Sequence, residues 1–196
     1  GSNGRVYSTA VGALPGGRGD GQPITTLIDL ESGTQPAHYL AAPADQALLL
    51  AGTAGFGLLV LMGDLATRQR GGKAFLSLEV GEGLLPPTVV PAGPAESLQV
   101  ACLTLAGRLL TYPLAELKRQ PNGGRGLTLI DLEPKDALLS VAVFRQAVRV
   151  VGTGRGGKPK EELLRGAALA AHAGKRARKG RALEASIKPL RVLTAD

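Results

Sequence analysis

The sequence predicts an all-β fold, a propeller-like array of about four four-stranded blades whose last blade carries a short helical insertion. Three observations predict it. The chain repeats itself about every 51 residues. Each repeat holds short runs rich in apolar and β-branched residues, and 28 glycines and 13 prolines supply the turns between them. A four-stranded unit of about 40 to 50 residues fits a propeller blade, which cannot cover both of its own faces and so stacks on neighbours.

The repeat is visible in several marks that keep one step. "TLIDL" occurs at 26–30 and again at 128–132, and "FLSLEV" lies midway at 75–80. Leu14, Leu65 and Leu117 are spaced 51 and 52 apart, and each stands seven residues before a glycine, Gly21, Gly72 and Gly124. "TAG" at 53–55 and "LAG" at 105–107 are 52 apart. The repeats therefore run roughly 4–54, 55–106, 107–153 and 154–196, within a single domain.

In the first repeat the strands are expected at "RVYST", "ITTLIDL", "AHYLAA" and "ALLLAG". The second gives "LLVLM", "KAFLSLEV", "TVVPA" and "SLQVACL", and the third "RLLTY", "GLTLIDL", "LLSVAVF" and "AVRVVG". Unbroken apolar runs such as "LLL" and "LTLI" suit sheets buried on both faces. The fourth repeat differs. Leu163 takes the place of Leu65 and Leu117, but its glycine, Gly180, follows only after an insertion of ten, mostly "AALAAHAGKR", which is helix-prone. This repeat is a strand short and the chain opens inside a unit, so the sequence reads as a fragment of a longer protein.

One stretch resembles a nucleotide loop. "VGTGRGGKP" at 151–159 contains both GxGxxG and GxxxxGK. Pro159 stands where a P-loop needs Ser or Thr, and neither a βαβ unit nor an acidic residue about 20 positions on supports a dinucleotide site. In the repeat register the stretch aligns with plain strand–turn–strand links, and its glycines are expected to serve a turn.

Charge marks the functional loops. The net charge is +7, with eleven Lys and Arg against four Asp and Glu from Arg155 onward and twelve of each before it. A basic end on a neutral body points to a polyanion. One loop in every repeat carries cations beside glycine: "PGGRGDGQP" (15–23), "TRQRGGKA" (67–74), "KRQPNGGRG" (118–126) and "KRARKGRA" (175–182). In a stacked array these loops fall on one edge, where they would follow the phosphates of a duplex without reading its sequence. The candidate DNA-binding residues are Arg18, Arg68, Arg70, Lys73, Lys118, Arg119, Arg125, Lys175, Arg176, Arg178, Lys179 and Arg181. Replacing Arg68, Arg70 and Lys73 together is expected to weaken duplex binding with little loss of stability.

"QRGGK" at 69–73 resembles the gyrase A-box, QRRGGKG, with one Arg fewer. With "GRVYSTAVGALPGGRGDGQP", "RGGKAFLSLEVGEGLLPP" and "AGRLLTYPLAEL", the whole chain resembles the C-terminal β-pinwheel domain of bacterial type IIA topoisomerase A subunits, most nearly the topoisomerase IV branch. The resemblance implies an accessory domain that binds and bends duplex DNA, guides the segment to be passed and helps set topology preference in decatenation and supercoil relaxation. As partners it implies a catalytic core in the same chain and a separate ATPase subunit. It also implies a nucleoid-associated place in the cytoplasm, and Mg2+ and ATP used only by other domains or subunits. The cleavage tyrosine of the family belongs to another domain, so this fragment is expected to have no activity of its own.

The remaining residues narrow the chemistry. His38, His172 and Cys102 are too few for most metal or histidine-based sites, and no cofactor or metal is expected in this fragment. Tyr7, Tyr39 and Tyr112 read as packing residues, and Cys102 as a buried thiol. Six aromatic residues and no Trp argue against single-strand binding by stacking. No run approaches the 18 apolar residues of a membrane span. From the residues alone, the alternative is a propeller-like protein–protein interaction module without DNA binding.

Overall fold

A computed structural model describes residues 1–184 and 186–195. In chain order the strands are β1 (Arg5–Val6), β2 (Ala47–Ala51), β3 (Phe56–Leu61), β4 (Lys73–Ala74), β5 (Thr88–Val89), β6 (Gln99–Thr104) and β7 (Arg108–Pro113). They continue with β8 (Leu127–Thr128), β9 (Leu138–Phe144), β10 (Ala147–Thr153), β11 (Pro159–Arg165), β12 (Arg181–Ala182) and β13 (Lys188–Thr194). The two short α-helices are α1 (Met62–Leu65) and α2 (Gly166–Ala170), and α2 lies in the last repeat as expected.

The strands form four antiparallel sheets, β1-β4, β5-β2-β3-β8, β12-β7-β6-β9 and β11-β10-β13. Each of the last three is built around a hairpin: β2–β3, β6–β7 and β10–β11. The hairpin's first strand takes as its neighbour a strand from later in the same connection, β5, β9 or β13. The second strand takes a two-residue strand from one repeat further on. Thus β4 pairs with β1, β8 with β3 and β12 with β7. Repeats are interlocked through the backbone as well as stacked.

The apolar runs follow from burial on both faces. Along β2, Leu48 and Leu50 pack toward Val60, Phe75 and Leu76, while Leu49 and Ala51 pack toward Val100, Cys102 and Tyr112. Along β6, Val100 and Cys102 face β2, while Ala101 and Leu103 face Val148, Val150 and Val192 of the third hairpin sheet. Full burial of each such side chain is worth about 1.5–3 kcal/mol. Cys102 is fully buried with its Sγ 3.7 Å from the Tyr112 hydroxyl, and burial pushes the thiol up to about 12.

Several expected strands are shorter or absent. "ITTLIDL" begins with a 3-10 turn at Ile24–Thr26, and "AHYLAA" has no ladder partner among the described residues. Its later counterparts β5 and β9 pair with the first strand of the preceding hairpin, which residues 37–42 lack among the described residues. Tyr39 is consequently 75% exposed and is no packing residue, whereas Tyr112 is buried. In "GLTLIDL" only Leu127–Thr128 join the ladder, because Leu129 and Ile130 turn into the core between sheets.

Two repeat marks also move. The buried leucine that follows each hairpin is Leu65, Leu117 and then Leu169, whereas Leu163 is 48% exposed in β11. The glycine preceding each two-residue strand is Gly72, Gly126 and Gly180, so Gly126 replaces Gly124 in the register. The spacing from Leu65 to Gly72, Leu117 to Gly126 and Leu169 to Gly180 grows only slightly at each step, and the last repeat's insertion is correspondingly smaller. "VGTGRGGKP" lies across the end of β10, the turn and the start of β11, as the repeat alignment required.

Candidate nucleic-acid interface

The second, third and fourth basic loops occupy one structural position because the two-residue strands do. β4, β8 and β12 each begin just after a glycine that lies on the backbone of the partner strand. A Cβ on Gly72, Gly126 or Gly180 would fall within 3 Å of the carbonyl of Val6, Gly57 or Leu109 respectively. Glycine is required there by close approach.

Each loop then leans on the segment that follows the previous loop. The Asp29 N–H donates to the Arg70 carbonyl at 2.9 Å, Ser77 N–H to Gly124 at 2.9 Å, and Asp131 N–H to Arg178 at 3.2 Å. Arg70, Gly124 and Arg178 are therefore equivalent, and they are evenly spaced in the sequence. These contacts set the second, third and fourth loops at the same place in successive repeats, each against the segment that follows the loop before it, while the glycines of 15–23 meet no partner backbone.

The twelve candidate cations fall into three groups. Arg18, Arg68, Lys118, Lys175, Arg178 and Arg181 are exposed, and their side chains have no hydrogen-bond or ion-pair partner among the described residues. Arg70, Arg119 and Lys179 are exposed but ion-paired, with Asp29 at 3.2 Å, Asp64 at 2.5 Å and Glu133 at 3.1 Å. Lys73, Arg125 and Arg176 are half-buried and hold the fold together.

Lys73 Nζ donates to the carbonyls of Asp64 (2.6 Å) and Ala66 (3.0 Å), which tie down the end of α1. Its truncation removes those bonds, so the triple replacement that includes Lys73 costs stability, contrary to the expectation from sequence. Arg125 pairs with Glu82, whose side chain is 3% exposed, donates to the Ser77 carbonyl at 3.1 Å and lies 4.3 Å over the Phe56 ring. Arg176 donates to the Thr128 carbonyl at 2.6 Å, and its backbone N–H to Glu116 at 2.9 Å.

Asp64 is the electrostatic hinge between the second and third loops. It accepts from Arg119 Nε at 3.0 Å and from the Leu61 N–H at 2.8 Å, while its backbone carbonyl takes Lys73. The Arg119 hydrogen bond, helped by the Leu61 N–H, holds its carboxyl below the usual range despite partial burial, and Asp64 in turn raises Arg119.

Two residues that sequence reasoning passed over clamp the loops. Arg5 donates to the carbonyls of Gly71 (3.0 and 3.1 Å) and Gly72 (3.0 Å), and Arg108 to that of Gly180 at 2.8 Å. Both follow a glycine whose N–H closes a tight turn, and the recurring "GR" at 4–5 and 107–108 was the available signal. In the intervening repeat Phe56 holds that place and meets Arg125 instead.

Among the described residues no three His, Cys, Asp or Glu side chains converge as a metal site, and no helix is long and apolar enough to cross a membrane. His172 is buried within the insertion, and His38 Nε2 lies 3.5 Å from the Leu84 carbonyl.

Comparison with known proteins gives a consistent result. Residues 99–145 match the family model for the DNA gyrase C-terminal domain, beta-propeller. The A subunit of DNA topoisomerase 4 from Neisseria gonorrhoeae is 33% identical over 186 residues, covering 93% of this chain and 24% of that protein. The same subunit from Escherichia coli K12 is 35% identical over 136 residues, covering 69% and 18%. The chain thus spans about a quarter or less of the length of these relatives. The solved E. coli ParC C-terminal domain is similar with a TM-score of 0.86 at 30% identity, over 97% of this chain and 77% of that one. A DNA gyrase A C-terminal domain shares the fold, with a TM-score of 0.66 at 16% identity over 91% and 56%.

Proposed function

The chain belongs to the family of C-terminal domains of bacterial topoisomerase IV A subunits, and from that premise we propose that it binds duplex DNA through its phosphates, without sequence specificity, and bends it along the loop edge. The observation that carries this reading is the alignment of equivalent glycine-anchored loops along one edge. Five of their cations have no protein partner among the described residues, Arg68, Lys118, Lys175, Arg178 and Arg181, and neither has Arg18 of the first loop. Exposed guanidinium and ammonium groups exchange condensed counterions for contact with phosphate, so the binding energy is electrostatic and salt-sensitive. Arg70 and Lys179 join by exchanging an exposed carboxylate partner for a phosphate, and such exposed pairs are weak enough to exchange, whereas Arg119 is held by Asp64, whose side chain is only 11% exposed.

In this reading the domain is an accessory. It holds the segment to be transported beside the catalytic core of the same chain and so helps set topology preference in decatenation and relaxation. Strand cleavage, Mg2+ and ATP belong to the core and an ATPase subunit, in the bacterial cytoplasm at the nucleoid. A mobility shift on linear duplex tests the binding step. Retardation at about 50 mM salt that disappears by about 200 mM is expected. Absence of retardation at the lower concentration refutes it, and a salt-tolerant complex with a protein instead supports an interaction module.

A further inference from the structure

The turn at residues 1–4 is built like the tips of the β2–β3 and β6–β7 hairpins. Gly4, Gly55 and Gly107 have φ of 79°, 86° and 80°. Their N–H groups donate to the carbonyls of Gly1, Gly52 and Thr104 at 3.0, 3.1 and 3.0 Å. Their own carbonyls accept from Leu76, Leu129 and Leu183 at 3.1, 2.7 and 3.0 Å. The N–H groups of Ser2, Thr53 and Leu105 donate to the carbonyls of Gln35, Gly83 and Ala137 at 2.8, 2.9 and 2.9 Å. The Gly1 amine donates to the Arg5 carbonyl at 2.8 Å, as the Gly52 N–H does to that of Phe56 at 3.0 Å. Gly1 is therefore the counterpart of Gly52 and Thr104, where β2 and β6 reach their turns, and β1 is the counterpart of β3 and β7.

In those two hairpins the first strand has a neighbour on each side, β3 and β5 for β2, β7 and β9 for β6. The counterpart of β5 and β9 is the segment that follows Gln35, as theirs follow Gly83 and Ala137. The backbone N–H groups of residues 37–42 have no acceptor among the described residues, and residues 7–9 continue from β1 outside any ladder. The bonds of the turn thus fix two unpaired edges beside one strand position. Such edges are templates for a further strand.

The surroundings are apolar. Tyr39 and Leu40 are exposed on one edge. The adjoining core of Leu48, Leu50, Val60 and Leu76 is bordered by Val6, Met62, Leu78 and Leu84, all only partly buried. The other hairpins fill this position with proline-free, mostly buried runs, ALLLA in β2 and QVACLT in β6. Burial lowers the pKa of the Gly1 amine, a charge standing where Gly52 carries an amide.

We propose that the first repeat is a strand acceptor: between β1 and residues 37–42 it takes one extended, apolar, proline-free segment of about five residues, antiparallel to both and joined directly to Gly1. A segment joined to Gly1 enters without a loop and without the association entropy that a second copy would lose. This acceptor is independent of the duplex-binding reading.

The test joins ALLLA, the sequence of β2, or QVACL, that of 99–103 in β6, ahead of Gly1 of the 196-residue chain. Amide exchange and thermal unfolding compare each with the unextended chain and with an ALPLA extension, whose proline interrupts the strand. The apolar extensions are expected to slow exchange within 37–42 at least about tenfold and to raise the melting temperature by about 5 to 10 °C, in monomers by light scattering. ALPLA is expected to do neither. Exchange within 37–42 that stays as fast in both apolar extensions as in the unextended chain overturns the acceptor. Equal protection by ALPLA overturns it as well, because any sticky tail would then suffice. Protection of the unextended chain that appears only as its concentration rises assigns the edges to a second copy and overturns the proposed occupant.

Discussion

The second and third basic loops and the fourth have similar sequences but hold their charges differently. In 67–74 and 118–126, four of the six candidate cations are engaged, Arg70 by Asp29, Lys73 by carbonyls, Arg119 by Asp64 and Arg125 by Glu82. In 175–182, Lys175, Arg178 and Arg181 stand free, and only Arg176 and Lys179 have partners among the described residues. Loop charge therefore counts two different things. In the middle of the array arginine and lysine fasten one repeat to the next, while in the last repeat most of them remain available to a ligand.

The sharpest way to break that comparison is to remove a fastening cation. Arg125→Ala leaves the buried Glu82 carboxylate without its charge partner, which costs about 3 kcal/mol in urea unfolding. Arg178→Ala costs less than about 0.5 kcal/mol by the same measurement, as exposed surface substitutions do. Equal costs would erase the distinction.

Binding should show the opposite order. K175A/R178A/R181A is expected to weaken duplex affinity by about tenfold or more near 100 mM salt and to flatten the salt slope by about 2 to 3. Its melting temperature should barely move. A weaker change sharpens the comparison: Asp64→Asn releases Arg119, so affinity should rise about twofold and the slope should steepen by about 1.

The smallest effect is the pH dependence of the same pair. The folded value of Asp64 is depressed by Arg119 and the Leu61 N–H. Its contribution to stability is present above the unfolded value of about 3.9 and is lost as pH falls through the lower folded value. The stability difference between wild type and Asp64→Asn should therefore be constant from pH 7 to 5 and shrink below about 4. A difference that shrinks between pH 7 and 6 would place the linkage on another group.

Much of this architecture was legible in the sequence because the repeat is covalent and the strands are buried on both faces. The hairpins at 47–61, 99–113 and 147–165 appear as apolar runs around a glycine turn. Gly72 and Gly180 were legible too, since only glycine fits against the partner backbone, whereas Gly124 was read in place of Gly126 because it keeps the seven-residue step from its leucine. Leu163 misled because β11 runs on through "EELLR", and an apolar residue in an exposed strand looks like one in a core. The exchange of two-residue strands between repeats was not legible, because pairing between positions as distant as Val6 and Lys73 leaves no local pattern. Nor was the division of cations into fastening and free, since Arg125 and Arg178 differ only in what the fold brings beside them. Arg5 and Arg108 were overlooked because their partners are backbone carbonyls, which every sequence possesses.

The most direct test is the salt slope of duplex affinity for the wild type beside a variant lacking the six unpartnered loop cations, Arg18, Arg68, Lys118, Lys175, Arg178 and Arg181. The wild type should give a slope of about −4 to −5, and the variant, still folded by circular dichroism, a slope nearer zero with affinity reduced at least a hundredfold at about 50 mM salt. A folded variant that binds duplex with the wild-type slope would contradict the loop edge as the DNA-binding surface.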